Sequence, residues 1–84
     1  MYYVYIIKSR CYDYFYTGCT NDLKKRYREH NTGKVISSKA YKLFNLVYYE
    51  ACCNKEDAYK REKYLKTRLG KRYLKNRLKY WFKS

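Results

Sequence analysis

The amino-acid sequence predicts an α/β (α+β) domain: a small, three-stranded, mainly antiparallel sheet flanked by helices, in the order β-β-α-β-α-α. Three observations carry this. Two runs, "YYVYIIK" and "LFNLVYYEA", are apolar at odd and even positions alike, as in strands covered on both faces. The first run is followed, after a loop short enough for a hairpin, by an aromatic run that can return beside it. The remaining segments carry apolar residues at helical spacing, bounded by caps and glycines. With 84 residues, the chain is expected to form one domain over 1–84, with a thin core. Its 14 tyrosines and 3 phenylalanines offset the shortage of aliphatic residues, because each buried ring removes a large area from water.

Taken in order, Tyr2 to Lys8 reads as the central strand. The stretch "SRCYD" is its hairpin loop, and Tyr14 to Cys19 returns, with Gly18 closing the strand. Asn21 is the expected N-cap of a first helix running to about Asn31, and Asp22 suits the positive end of the helix dipole. Gly33 fits the stop. A polar loop, Lys34 to Lys42, leads to the third strand. Asn54 caps a second helix, with Asp57 three residues on as in a capping box. That helix is expected to reach Leu69, with Gly70 ending it. Lys71 to Phe82 forms a third helix, with Leu74, Leu78 and Trp81 as its apolar stripe.

Charge narrows the partner. Against 7 acidic residues stand 21 Lys and Arg, a formal +14. So basic a domain suits a polyanion, and nucleic acid leads, because each neutralised phosphate releases condensed counterions. A membrane surface is disfavoured, since no long helix sets bulky apolar residues against a lysine face. "MYYVYII" lacks the length and flanks of a signal or spanning segment. Cys11, Cys19, Cys52 and Cys53 form no C-x-x-C pair, so reduced thiols and a cytoplasmic location are expected rather than disulfides or a structural zinc.

Two helices break their own pattern. In the first, the stripe Leu23 and Tyr27 continues at i+7 onto His30, the one histidine of the chain, with Arg26 on its margin. In the second, the face of Ala58, Leu65 and Leu69 carries Glu62 at i+4. An unpaired buried carboxylate costs several kcal/mol, so it finds a partner or a metal. The plain reading is an internal ion pair of Glu62 with Arg26. The chemical reading collects every inward polar group: Arg26, His30, Glu62 and the phenols of Tyr3, Tyr5 and Tyr16. Arginine is a fork for phosphate oxygens. A lone carboxylate holds Mg²⁺, which keeps several waters and takes up substrate phosphate. A tyrosine beside a metal and lysines is expected to ionise below its usual pKa of about 10. Together these groups supply what phosphodiester hydrolysis needs.

These residues resemble a known set. "YVY" at Tyr3 to Tyr5 and "YTG" at Tyr16 to Gly18 look like the two halves of the GIY-YIG nuclease signature. R-x-x-x-H at Arg26 to His30 and the glutamate of "AYKREKYLK", Glu62, follow in the family's order. The resemblance covers nearly the whole chain. It is closest in kind to small stand-alone members, and is similar to the N-terminal incision domain of the bacterial excision-repair nuclease. It implies an endonuclease acting on DNA with Mg²⁺ or Mn²⁺, in repair or processing. Tyr5 and Tyr16 would assist in activating water, Arg26 would bind phosphate, His30 would help transfer protons, and Glu62 would hold the metal. Two positions depart from the family: Tyr3 replaces the first glycine of the signature, and Cys19 stands where relatives can carry lysine.

Three functions therefore compete. The first is the metal-dependent DNA endonuclease, with a protein partner to supply specificity. The second is a basic nucleic-acid-binding module that keeps the fold without useful catalysis. The third is a structural or ribosome-associated basic protein in which Arg26 and Glu62 merely pair. A nuclease needs Glu62, whereas a binding module needs only its surface cations. Lys71, Lys75 and Lys79 make one basic face of the last helix. Asn76 lies off its packing stripe and is given no catalytic role.

Overall fold

The computed structural model describes residues 1–84. Its elements are β1 (Tyr2–Ser9), β2 (Phe15–Thr20), α1 (Leu23–Asn31), a 3-10 turn at Lys39–Tyr41, β3 (Phe44–Cys52), α2 (Lys55–Leu65), α3 (Arg68–Arg77) and α4 (Lys79–Lys83). The strands form one antiparallel sheet in the order β2-β1-β3. β1 is central, as its unbroken apolar run requires: Val4, Tyr5, Ile6 and Ile7 are all buried.

Alternation along β1 divides the core into two layers. Val4 and Ile6 pack with Ala58 and Leu65 of α2 and Leu74 of α3. Tyr5 and Ile7 pack on the other face with Phe44, against Leu23 and Tyr27 of α1. Tyr27 fixes α1 to the sheet by donating its hydroxyl to the Phe44 carbonyl at 2.7 Å. Asn31, at the end of the helix, accepts from the Phe44 amide at 2.7 Å. These bonds set the face that α1 turns to the sheet.

Several local expectations shift. Asp22, not Asn21, caps α1, its carboxylate accepting from the Lys25 amide. Asn54 does cap α2, accepting from the Glu56 and Asp57 amides. Gly33 lies just past α1 at φ +75°, the left-handed conformation that glycine adopts without penalty. β3 is an edge strand, and Leu46 and Tyr49 on it are exposed. Its apolar look comes from aromatic residues that line the margin of the sheet, not from cover on both faces. Its pairing slips between Ile6 and Ile7, which oppose Tyr48 and Leu46 and leave Val47 as the extra residue.

The largest correction concerns the C-terminal third. α2 ends at Leu65, four residues earlier than its stripe suggests, and Leu69 is 61% exposed. Thr67 caps α3, accepting from the Gly70 amide at 3.1 Å, so Gly70 lies inside a helix rather than ending one. A Cβ at Gly70 would stand 2.0 Å from the Tyr64 carbonyl oxygen and 2.5 Å from the Leu65 Cα. The glycine is there so that α3 can fold back tightly on the end of α2. Leu74 is buried, as the stripe predicts, but α3 stops at Arg77 and Trp81 reaches the surface on α4.

Candidate active site

Tyr5 sits at the centre of the α1 layer. Its ring lies over Gly18, its partner on β2, and any Cβ there would stand 2.4 Å from the Tyr5 hydroxyl. Gly18 therefore belongs to the body of β2, where it leaves room for the phenol, and does not close the strand. Tyr16, two residues away on the same face of β2, stacks beside Tyr5 with ring centroids 6.2 Å apart.

His30 completes the cluster from α1. It is fully buried and is 4.6 Å, centroid to centroid, from Tyr16. The Tyr5 hydroxyl and His30 Nε2 are 2.7 Å apart, and His30 Nδ1 is 2.7 Å from Ser38 Oγ. Ser38 Oγ also lies 3.4 Å from the Val35 carbonyl oxygen. The Ser38 and Tyr5 hydroxyls each donate or accept, so both neutral tautomers of the imidazole complete this chain. Burial first, and then the nearby Arg26 guanidinium, lower the His30 pKa to about 4, so the imidazole is neutral around pH 7.

The phenol behaves differently from expectation. Burial pushes the Tyr5 pKa up to about 12, while Arg26 pulls it the other way. In the protein alone the desolvation cost of a phenolate outweighs the guanidinium, so Tyr5 keeps its proton.

Arg26 lies half-buried at the mouth of the cluster, within electrostatic range of Tyr5 and Tyr16. Its ion pair is with Glu29, one turn along α1, at 3.3 Å. The Arg26–Glu62 pair anticipated as the plain alternative is not formed. Glu62 instead holds Lys66 at 2.8 Å, with its side chain 19% exposed and that of Lys66 55% exposed. It stands on α2, behind the β2 edge, where its charge is felt by Tyr5 and Cys19. The fold thus brings Tyr5, Tyr16, His30 and Arg26 together directly, while Glu62 stands on α2, which packs against the opposite face of the sheet, with its charge still felt by Tyr5.

Glu62 offers a single carboxylate as donor. No three His, Cys, Asp or Glu side chains converge anywhere in the chain. Such a set suits a hard cation that keeps most of its water and takes further oxygens from a phosphate; it does not suit one that needs a nitrogen and sulfur cage. Lys66 is the group that such a cation would displace.

Comparison with known proteins identifies the family. The family described as the GIY-YIG catalytic domain matches residues 1–82. The chain belongs to the GIY-YIG family. A UPF0213 protein of Streptococcus pyogenes serotype M3 is 43% identical over 68 residues, covering 79% of this chain and 72% of that protein. A UPF0213 protein of Clostridium perfringens is 44% identical over 67 residues, covering 79% and 71%. The solution NMR structure of the UPF0213 protein BH0048 from Bacillus halodurans superposes with a TM-score of 0.53 at 33% identity, covering 88% of this chain and 82% of that one. The fold and the catalytic-domain family are therefore those of a GIY-YIG nuclease. No helix is long and apolar enough to cross a membrane.

Ser38 and Glu29 escaped the sequence reading. Ser38 sits in an aperiodic polar loop, and only the folded chain brings it 2.7 Å from a histidine eight residues earlier. Glu29 was legible as an i+3 partner of Arg26, a spacing at which helical side chains meet.

Proposed function

We propose that this GIY-YIG domain is a divalent-metal-dependent endonuclease that hydrolyses phosphodiester bonds in DNA, working in repair or processing. The observation that carries the reading is the buried Ser38–His30–Tyr5 chain of hydrogen bonds, ending beside Arg26 and the half-buried Tyr16. A purely structural core has little use for a buried imidazole hydrogen-bonded through both nitrogens and a phenol under a guanidinium.

In this reading Arg26 binds a non-bridging phosphate oxygen and steadies the charge that develops there. Glu29 holds the guanidinium at the mouth until a phosphate takes its place. Tyr16, which solvent can reach, orients the attacking water. With His30 in its Nδ1–H tautomer, Tyr5 keeps its proton on the side facing Nε2, so the remaining lone pairs of the phenol are turned toward the reacting side. His30, neutral at working pH, is able to take up the Tyr5 proton when the phenol accepts one from the water. Glu62 would hold Mg²⁺ or Mn²⁺, which supplies Lewis-acid polarisation of the scissile phosphate.

The test is incubation with duplex, branched and single-stranded DNA in Mg²⁺ or in EDTA, comparing wild type with Glu62→Ala. Cleavage should require the metal and vanish in the variant. A Glu62→Ala protein that cuts like wild type removes the metal assignment. An intact protein that binds all substrates and cuts none is the binding module instead.

A further inference from the structure

The opposite face of the sheet carries a groove that this catalytic scheme leaves unused. Its cavity of about 360 Å³ is lined by the buried Ile6, Leu65 and Leu74 and by the exposed Phe15 and Phe82, with Lys71 and Lys75 also lining it. That volume is at the low end of the range for small-ligand pockets, about 300–1,000 Å³. Thr17 is its one neutral polar side chain. Beside it, Phe15, Trp81 and Phe82 form an aromatic cluster: Phe15 lies 6.1 Å from Trp81 and 6.0 Å from Phe82, and Trp81 lies 5.0 Å from Phe82. Lys8 stands 5.9 Å over the Phe15 ring.

Two features say what covers this face. After Glu62 the chain has no acidic residue, while lysine or arginine recurs at 63, 66, 68, 71, 72, 75, 77, 79 and 83. Of these cations only Lys66 has an ion partner. An edge-to-face cluster of exposed aromatic rings within a field of unpaired cations is complementary to a chain that alternates bases with phosphates. The position agrees. Phe15 and Tyr16 are consecutive on the edge strand β2, so their side chains point to opposite faces of the same sheet margin.

We propose that the groove between α3, α4 and β2 is a docking site for an unpaired stretch of the nucleic-acid substrate. One base enters against Phe15 and Phe82, and Lys71 and Lys75 take the flanking phosphates. This rests on the nuclease reading and adds to it a substrate class: nucleic acid with a single-stranded segment adjoining the cleaved bond. A strand held at Phe15 passes the β2 edge one residue from Tyr16.

Binding is read in EDTA by fluorescence anisotropy, with the full chain and labelled blunt duplex, overhang-bearing duplex and single-stranded oligonucleotides. DNA and RNA arms distinguish the two sources of the same chemistry. Wild type should prefer the overhang and single strand, and Trp81 fluorescence should change on binding. Phe82→Ala should weaken single-strand binding roughly ten-fold, as loss of one stacked base does, and leave blunt-duplex affinity within about two-fold. Lys71→Gln with Lys75→Gln leaves the apolar groove in place, so it remains decisive if Phe82→Ala unfolds. Each lost phosphate contact should reduce the single-strand salt slope by about 0.7. If the lysine variant binds single strands like wild type with an unchanged slope, or if wild type shows no preference for unpaired ends, the proposal is overturned. It is overturned equally if vesicles of phosphatidylserine bind Trp81 and single strands do not. Because these readouts need no cleavage, a chain that binds as described but never cuts would retract the nuclease reading and leave the docking site standing.

Discussion

His30 is held neutral by its burial and by Arg26, and Glu29 opposes that pull. As the one histidine, it gives ring-proton NMR signals that need no assignment among rivals. They should titrate near pH 4 in the folded protein. The unfolded chain takes up this proton near 6.5, so between the two values the unfolded state binds more protons. Stability is therefore complete above about pH 6.5 and is lost as pH falls toward 4, by at most about 3 kcal/mol. A midpoint close to 6.5 would place the imidazole in contact with solvent and break the proposed chain. Tyr5, raised to about 12, works in the other direction: its contribution is complete below pH 10 and is lost as pH climbs toward 12. Cleavage should consequently show no Tyr5-dependent rise between pH 7 and 9. Such a rise, absent from Tyr5→Phe, would mean that the bound ion overcomes the desolvation. Tyr5→Phe should slow cleavage by about 10²-fold. Leaving the buried Nε2 without its partner should cost about 1–3 kcal/mol of stability. Ser38→Ala tests positioning: turnover should fall while DNA affinity stays, and the His30 titration should move. Glu62→Ala should be nearly neutral for stability, within about 1 kcal/mol, because its partner Lys66 is more than half exposed. A loss of several kcal/mol would reveal a structural role.

Among the elements, the junction of α2 and α3 is the most sharply constrained. Gly70 has backbone, not a flexible side chain, within 2.0–2.7 Å of any added Cβ. Gly70→Ala must therefore separate the two helices, and a loss of about 3 kcal/mol or more is expected in urea unfolding. A helix-propensity argument predicts the opposite, since alanine at a mid-helix glycine normally stabilises by up to about 1 kcal/mol. The sign of the measured change decides between them. Thr67→Ala, which removes only the cap of α3, should cost about 1 kcal/mol. At Gly18 the obstruction is the side chain of Tyr5, so Gly18→Ala should displace the phenol from His30 and affect turnover more than stability.

Over the whole molecule, electrostatics sets both partner and vulnerability. The formal +14 is spread with only three ion pairs to offset it. If about four to six phosphates are neutralised, log K for duplex DNA should fall against log salt with a slope of roughly −4 to −5. A slope near zero would point to a partner other than nucleic acid. The same charge repels itself, so thermal stability should rise with moderate salt even as DNA binding weakens.

How much was legible follows from which interactions are local. Local pattern was enough for the chain order β-β-α-β-α-α, for the unbroken apolar run of β1 and for the cap at Asn54, because each depends on neighbours within a turn or a hairpin. The periods of the apolar residues exposed His30 and Glu62 as misfits, since a polar residue in a packing stripe is visible without coordinates. The family resemblance, carried by Tyr5, Tyr16, Arg26, His30 and Glu62 in order, needed nothing more. Tertiary structure alone decided the rest. A glycine at position 70 reads as a helix stop along the chain, and becomes a packing contact only when α3 turns back onto Tyr64. The partner of Glu62 is Lys66 and that of Arg26 is Glu29, because the sheet margin stands between the two helices and short-range pairs are then the nearest. Tyr5 looks poised to ionise from its charge-rich composition, yet burial, which depends on the assembled core, raises its pKa instead. Ser38 acquires its place only when the loop closes over His30. Contacts made between distant parts of the chain leave no period in a sequence, and those contacts hold the site together.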